Sequence, residues 1–308
     1  MSGCANKLAL GRIRLLKCML QTALVASFFV ASATAEIKRL DRSTILLEGP
    51  IASGDFDRLV ELSAEMIAEN NELPETSVTK MFAVRLRLNS PGGDVAEAFK
   101  IADFVREMWI HTEVSDPSVV RQIDKDGEIL QKESASRGEN FELGGEGPII
   151  CYSACSLIFL AGIPRSYLPS TLGRSVELGF HRPYLDPGVN RQLTPDESRS
   201  VYLVLEASFK EAMRRYGAPE SLIMQTFNAS SADINILSKE QFDAIFPLEE
   251  PWFAEYINAK CGSVRTTGGF KTKEETQAHV KSVTVRAICS RWVKNEHQRS
   301  KIRDYIVN

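Results

Sequence analysis

The sequence predicts an α/β fold, and three observations carry that expectation. From Thr44 to Met108, strand-like and helix-like segments alternate, the order of parallel crossover units. A Ser90-Pro-Gly-Gly93 turn joins an alternating strand to a helix start. The stretch 151–162 sets small polar residues directly before a wholly apolar segment, which belongs inside a core.

The chain opens differently. Lys7, Arg12, Arg14 and Lys17 form a basic region without an acidic residue, and an apolar, small-residue run then ends at Ala33-Thr-Ala35. This is the order of a secretory signal peptide with an A-x-A cleavage site, so cleavage after Ala35 and a periplasmic or secreted protein are expected. The alternative is an uncleaved membrane anchor over residues 18–35, although the apolar run falls short of the ~20 residues of a span. Four of the 37 basic residues and none of the 40 acidic ones lie in those 35 positions. The remainder is therefore acidic overall, and nothing in that balance suggests a general nucleic-acid binder. Cys151, Cys155, Cys261 and Cys289 remain after cleavage. An even count in an exported chain permits two disulfides. Pairing by proximity, 151 with 155 and 261 with 289, is one of three connectivities.

Thr44–Glu48 reads as a buried strand ended by Gly49-Pro50. From Asp55 to Asn70, Phe56, Leu59, Val60, Met66 and Ile67 recur at helical spacing. Residues 69–79 are polar, contain Pro74 and read as a loop. Met81–Asn89 alternates as a strand; Asp94 and Glu97 make a capping box for a helix reaching about Met108. Trp109–Val114 is strand-like. Residues 116–147 are charged and glycine-rich, an insertion with room for a small hairpin, acting as a lid or simply solvated. Val176–Phe180 is a strand that ends at His181. Thr194-Pro-Asp-Glu197 is an N-cap, a proline at the first helical position and acids in the first turn, opening a helix to Tyr216. A shorter helix spans Pro219–Phe227, and Leu237-Ser238 begins one more helical turn. Beyond Pro251 the chain has no catalytic pattern and reads as a disulfide-stapled extension. The organisation is thus 1–35 signal peptide, 36–250 α/β domain with an insertion at 116–147, and 251–308 C-terminal extension.

The polar start of the 151–162 segment falls at a helix N-terminus, where free backbone N–H groups favour developing negative charge. A serine there can attack a carbonyl if a base takes its proton and donors hold the oxyanion. Ser153 is the candidate nucleophile, with a plain N-cap as the alternative. His181 is the candidate base, against a structural histidine. Ser156, one turn on, faces the core, and His111, His279 and His297 lack companions. No His/Cys/Asp/Glu set has metal-ligand spacing, so neither a metal nor another cofactor is expected.

Read in order, Leu88-Asn-Ser-Pro-Gly-Gly-Asp94, Ser153-Ala-Cys-Ser-Leu-Ile-Phe-Leu-Ala-Gly162 and Gly179-Phe-His181 resemble the Clp-protease/crotonase superfamily, in particular its serine-peptidase branch of Clp proteolytic subunits and signal peptide peptidase A. The resemblance covers roughly residues 40–250. It implies a repeated β-β-α superhelix, here with a long insertion and a C-terminal extension. It places Ser153 on the nucleophile, His181 on the base, and Gly93 and Ala154 on the oxyanion-hole N–H positions. The third member falls near Asp233, one residue out of step, with Asp243 as the fallback. The chain departs from that pattern in the insertion and in the two cysteines flanking Ser153. A peptide or protein substrate and a homo-oligomer are what the resemblance implies, the mature form being soluble or membrane-peripheral. An inert fold acting as a binding or scaffold module is the second reading. Crotonase-type acyl-CoA chemistry is the third, disfavoured by export.

Overall fold

A computed structural model describes residues 35–72, 83–115, 122–123, 129–130, 147–168, 174–184, 192–230, 233–247, 249–264 and 272–306. Residues 1–34 of the expected signal peptide and most of the expected insertion lie outside the described residues. The chain from Thr34 onward is one compact unit with the mixed α/β architecture expected.

The first sheet has the order β1-β2-β3-β4-β8: β1 Glu36–Arg39, β2 Thr44–Glu48, β3 Arg85–Asn89, β4 His111–Val114 and β8 Arg165–Tyr167. Only β1 runs antiparallel; β2, β3, β4 and β8 are parallel, with Leu46 opposite Arg87 and Arg87 opposite Glu113. The parallel strands are joined by α1 (Asp55–Glu72) and α2 (Val95–Glu107), as the alternation of patterns predicts. Ile45, Leu47, Leu86 and Leu88 of the central strands are fully buried, because helices and neighbouring strands cover this part of the sheet. Arg87 is buried as well and donates from Nη2 to Glu113 Oε1 across the ladder at 3.0 Å.

A second sheet has the order β10-β9-β7, from β7 Ile149–Tyr152, β9 Val176–Phe180 and β10 Asn235–Leu237. β7 and β9 are parallel; β10 is antiparallel to β9. Between β7 and β8 lies α3 (Ala154–Ala161), buried at every position as its unbroken apolar sequence requires. Two short strands, β5 Gln122–Ile123 and β6 Ile129–Leu130, pair antiparallel within the expected insertion.

The remaining helices are α4 Pro195–Arg215, α5 Glu220–Asn228, α6 Lys239–Ile245, α7 Pro251–Cys261 and α8 Lys273–Ile306. Thr194 and Glu197 form the capping box of α4, and Ser238 with Gln241 that of α6. α7 is tied to the body by Glu250, which takes two hydrogen bonds from Arg106 (2.6 and 2.7 Å), one from Trp252 Nε1 (2.6 Å) and one from Arg165. Cys151 pairs with Cys155 and Cys261 with Cys289, at Cα separations of 5.2 and 5.7 Å.

Three local expectations differ from the structure. Met81 and Phe82 lie outside the described residues, and the ladder begins only at Arg85. Trp109 is not in a strand: its φ is +52°, its ring stacks on His297 at 3.5 Å between centroids, and β4 starts at His111. Asp94 caps α2, accepting from the N–H groups of Ala96 (2.8 Å) and Glu97 (3.1 Å), yet Glu97 does not return the bond. Its carboxylate instead accepts from the N–H groups of Gly54 and Phe56, both at 2.9 Å, which fastens the start of α1 to α2.

Candidate active site

The site forms where the end of β3 meets the end of β7. Past Asn89 the chain leaves the first sheet and pairs with the second. Ser90 N–H donates to the Ile150 carbonyl (2.7 Å), and Tyr152 N–H to the Ser90 carbonyl (3.0 Å). The Asn89 side chain bridges the two sheets, donating to Glu48 Oε1 (2.8 Å) and accepting from Ile150 N–H (3.1 Å). This is why an asparagine ends an otherwise buried strand: its amide can serve both sides at once.

The following turn needs its two glycines. Gly92 and Gly93 have φ of +98° and +144°, and both are hemmed in. A Cβ on Gly92 would lie 2.7 Å from Ser153 Cβ; one on Gly93 would lie 2.2 Å from the Ile51 carbonyl oxygen. Gly93 is held as a bridge between the Ile51 N–H to Gly92 carbonyl bond (2.8 Å) and the Asp94 N–H to Ile51 carbonyl bond (2.9 Å).

Ser153 sits at the corner between β7 and α3 with φ +57° and ψ −123°. Left-handed backbone on a residue other than glycine is strained and persists where the surroundings dictate it. Here they do. Ser153 N–H donates to the Gly179 carbonyl (3.2 Å), Gly92 packs on its Cβ, and the Cys151–Cys155 disulfide brackets it. A strained serine at a sharp strand-to-helix turn is also the arrangement of a nucleophile elbow. Ser153 is half-buried and its side chain makes no capping bond, so it is not spent on closing the helix. Among the described residues nothing accepts from the N–H of Gly93 or of Ala154, the two expected oxyanion donors.

His181 follows β9 directly, two residues beyond Gly179, and is buried at 7% exposure. Its Nδ1 lies 2.8 Å from the Arg182 carbonyl oxygen. A carbonyl only accepts, so Nδ1 carries the hydrogen and Nε2 of the neutral ring is the free acceptor, the tautomer a general base requires. Tyr184 stacks on the ring at 5.9 Å between centroids. No hydrogen bond joins His181 to Ser153 Oγ among the described residues.

Asp233 is two residues before β10, which brings it to the same end of the second sheet as His181. Its Oδ2 accepts from the Ser230 hydroxyl at 2.7 Å, and no bond joins it to His181. Asp243, the fallback, is an exposed residue of α6 paired with Lys239 at 2.5 Å. Ser156 is fully buried, hydrogen-bonded to the Cys151 carbonyl (3.0 Å) and to that of Gly179, so it holds β7 and β9 together. Tyr152 donates to Glu177 across the same pair of strands. Burial first, and then that carboxylate, pushes its phenol well above the ordinary value, so it is a standing donor. Sequence reasoning missed the Arg182 carbonyl, and nothing marks it in a sequence, since every residue carries one.

An apolar groove of about 450 Å³ lies between α2 and α4. It is lined by Val95, Ala96 and Phe99 of α2 and by Val201, Val204 and Leu205 of α4. Val95, one of its lining residues, is two residues past Gly93 along the chain.

No family model matches the chain, and no curated protein matches it. Among solved structures it is similar to a mutant of ClpP1 from Listeria monocytogenes, at 14% identity and a TM-score of 0.40, over 67% of this chain and 88% of that one. Substrate and activity therefore rest on the geometry of the corner itself.

Proposed function

We propose that the protein is an exported serine hydrolase, a peptidase, with Ser153 as nucleophile and His181 as base. The observation that carries this reading is the strained serine at a strand-to-helix corner with unclaimed N–H groups on either side of it. Ser153 Oγ would attack the acyl carbon while its proton passes to His181 Nε2. The carbonyl oxygen, now an anion, would take hydrogen bonds from the Gly93 and Ala154 N–H groups. Collapse would break the acyl–nitrogen bond, the amine leaving with the proton from Nε2, and water would then release the acyl group by the same route. The Arg182 carbonyl would orient the ring in the part a carboxylate plays elsewhere, with Asp233 the alternative partner implied by the family resemblance. The apolar groove between α2 and α4 would seat an apolar part of the substrate.

Export rests on the order of the first 35 residues, and amino-terminal sequencing of protein from the producing cell should begin at Glu36. The homo-oligomer remains an implication of the resemblance, to be tested by light scattering. The second reading, an inert scaffold, is favoured by one observation, the absence of a Ser153–His181 hydrogen bond. Catalytic hydrogen bonds commonly close only around substrate, which is why that absence does not displace the hydrolase.

A fluorophosphonate probe separates the two. Wild type should be labelled at Ser153, and Ser153→Ala and His181→Ala should abolish labelling while thermal melts stay cooperative. Asp233→Asn should change the rate less than about threefold; a loss of about 10²-fold would make it, and not the Arg182 carbonyl, the third member. Equal labelling of Ser153→Ala and wild type, or a folded wild type that takes no label, would overturn the hydrolase.

A further inference from the structure

We propose that the amino-terminal part of α8 docks the protein on an anionic lipid surface, lying in the interface. Between Thr276 and Asn295 the helix carries Lys281, Arg286, Arg291 and Lys294 and no acidic residue, in a chain whose formal charge is −3; Lys294 is turned inward, its amine 4.9 Å from the centroid of the buried Phe253 ring. Over the same stretch Val280, Val283, Val285, Ile288 and Trp292 are exposed, Trp292 at 55% and Val280 at 57%. Single exposed apolar residues are ordinary, but five large ones interleaved with cations on about 30 Å of helix form an interaction surface.

The helix is held so that this stretch is presented. Its later residues, among them Val293, Gln298 and Ile302, are buried against the body, and Cys289 is bonded to Cys261 of α7. Arg286 is committed to Asn258 (3.1 Å) and Glu249 (3.3 Å). No ion pair among the described residues uses Lys281 or Arg291.

The chemistry selects the occupant. A second copy of this face would set like charges against each other. Anionic headgroups neutralise Lys281 and Arg291 while the valines, Ile288 and Trp292 enter the acyl boundary, where tryptophan is favoured. No helix among the described residues is long and apolar enough to cross a membrane, so α8 would lie on the surface rather than span it.

The test uses the full chain with vesicles of phosphatidylcholine alone or mixed with phosphatidylglycerol. The emission of Trp292 is read as the difference between wild type and Trp292→Phe, which removes the contributions of Trp109 and Trp252 and of any binding elsewhere. A blue shift confined to the anionic vesicles and reversed by salt is expected. The double variant Lys281→Glu/Arg291→Glu should weaken this response at least roughly 30-fold. Ile288→Asp, at an exposed position, should also weaken it with an unchanged melt. Trp292 emission that ignores anionic vesicles, or a response unaffected by both variants, overturns the proposal. So does a dimer in light scattering that Ile288→Asp dissociates, which would give this face to a second copy. Capture of an acidic protein without any lipid response would overturn it equally.

Discussion

Replacing Gly92 by alanine tests whether the glycine turn holds the nucleophile corner in place. The new Cβ would lie 2.7 Å from Ser153 Cβ, 2.8 Å from the Tyr152 carbonyl oxygen and 3.2 Å from the Ala154 nitrogen. Non-bonded carbons settle about 3.5–4.0 Å apart, so the corner must give by roughly 1 Å. A displacement of that size at a reacting group costs about 10²-fold in rate. Alanine at φ +98° also carries a left-handed penalty of about 1–2 kcal/mol. Gly54→Ala separates the two effects: its φ is +99°, and nothing lies within 4 Å of the added Cβ. Backbone strain should cost both variants similarly in a denaturant melt, with Gly92→Ala losing more because its crowded corner must also shift. Only Gly92→Ala should label with fluorophosphonate about 10²-fold more slowly, Gly54→Ala staying within about twofold of wild type. Wild-type labelling by a folded Gly92→Ala would refute the reasoning. Gly93 is a poorer probe, because its Cβ would fall 2.2 Å from the Ile51 carbonyl and break the bridge that holds the turn.

Two further outcomes follow from packing. Replacing both Cys261 and Cys289 by serine opens the link of sequence separation 28 and should cost about 3.5 kcal/mol in a thermal melt. The Cys151/Cys155 pair, with separation 4, should cost about 2 kcal/mol. Probe labelling should rank them the other way, since only the short link brackets Ser153. His297 supplies a pH signature. Burial pushes its pKa below 6.5, outweighing the hydrogen bond that its Nε2–H donates to the Glu107 carbonyl at 2.7 Å. The unfolded chain therefore takes up this proton more readily, so the contribution is intact above about pH 6.5 and is lost as pH falls through the unfolded value toward the lower folded one. Denaturant midpoints measured from about pH 7.5 down to about pH 5 should decline less steeply in His297→Gln than in wild type.

What could be read from the sequence was whatever a short stretch decides alone. Thr194-Pro-Asp-Glu197 caps a helix wherever it is placed, and the unbroken apolar run of α3 has nowhere to go but the core. The cysteine spacing made 151–155 and 261–289 the nearest pairs, and the structure joins them. What escaped depends on distant partners. β8 is three residues with an arginine and a serine, a strand only because β4 offers its edge. α8 shows no clean stripe, because its first part is exposed and its last part is buried, so one helix carries two patterns. Glu97 has the spacing of a capping residue, yet the loop before α1 competes for its carboxylate and wins. At the site, the order of Gly93, Ser153 and His181 was visible, whereas the partner of His181 is main chain and left no trace.

The last helix reaches back to the first part of the fold. Gln298 accepts from Val84 N–H at 2.7 Å and donates to its carbonyl at 3.3 Å, replacing the missing neighbour at the start of β3 across 214 residues. Tyr305 sets its ring against Phe56 and Phe104, at 6.4 and 4.8 Å between centroids. The ribosome makes Val84 and Phe56 long before it makes what covers them, and at roughly 5–20 residues per second the gap to Gln298 is about 10–40 s. Throughout that interval the nascent chain has a helix with a bare flank and a strand with open hydrogen-bonding groups. Until those final turns arrive, neither the flank nor the open groups have the partners that α8 supplies.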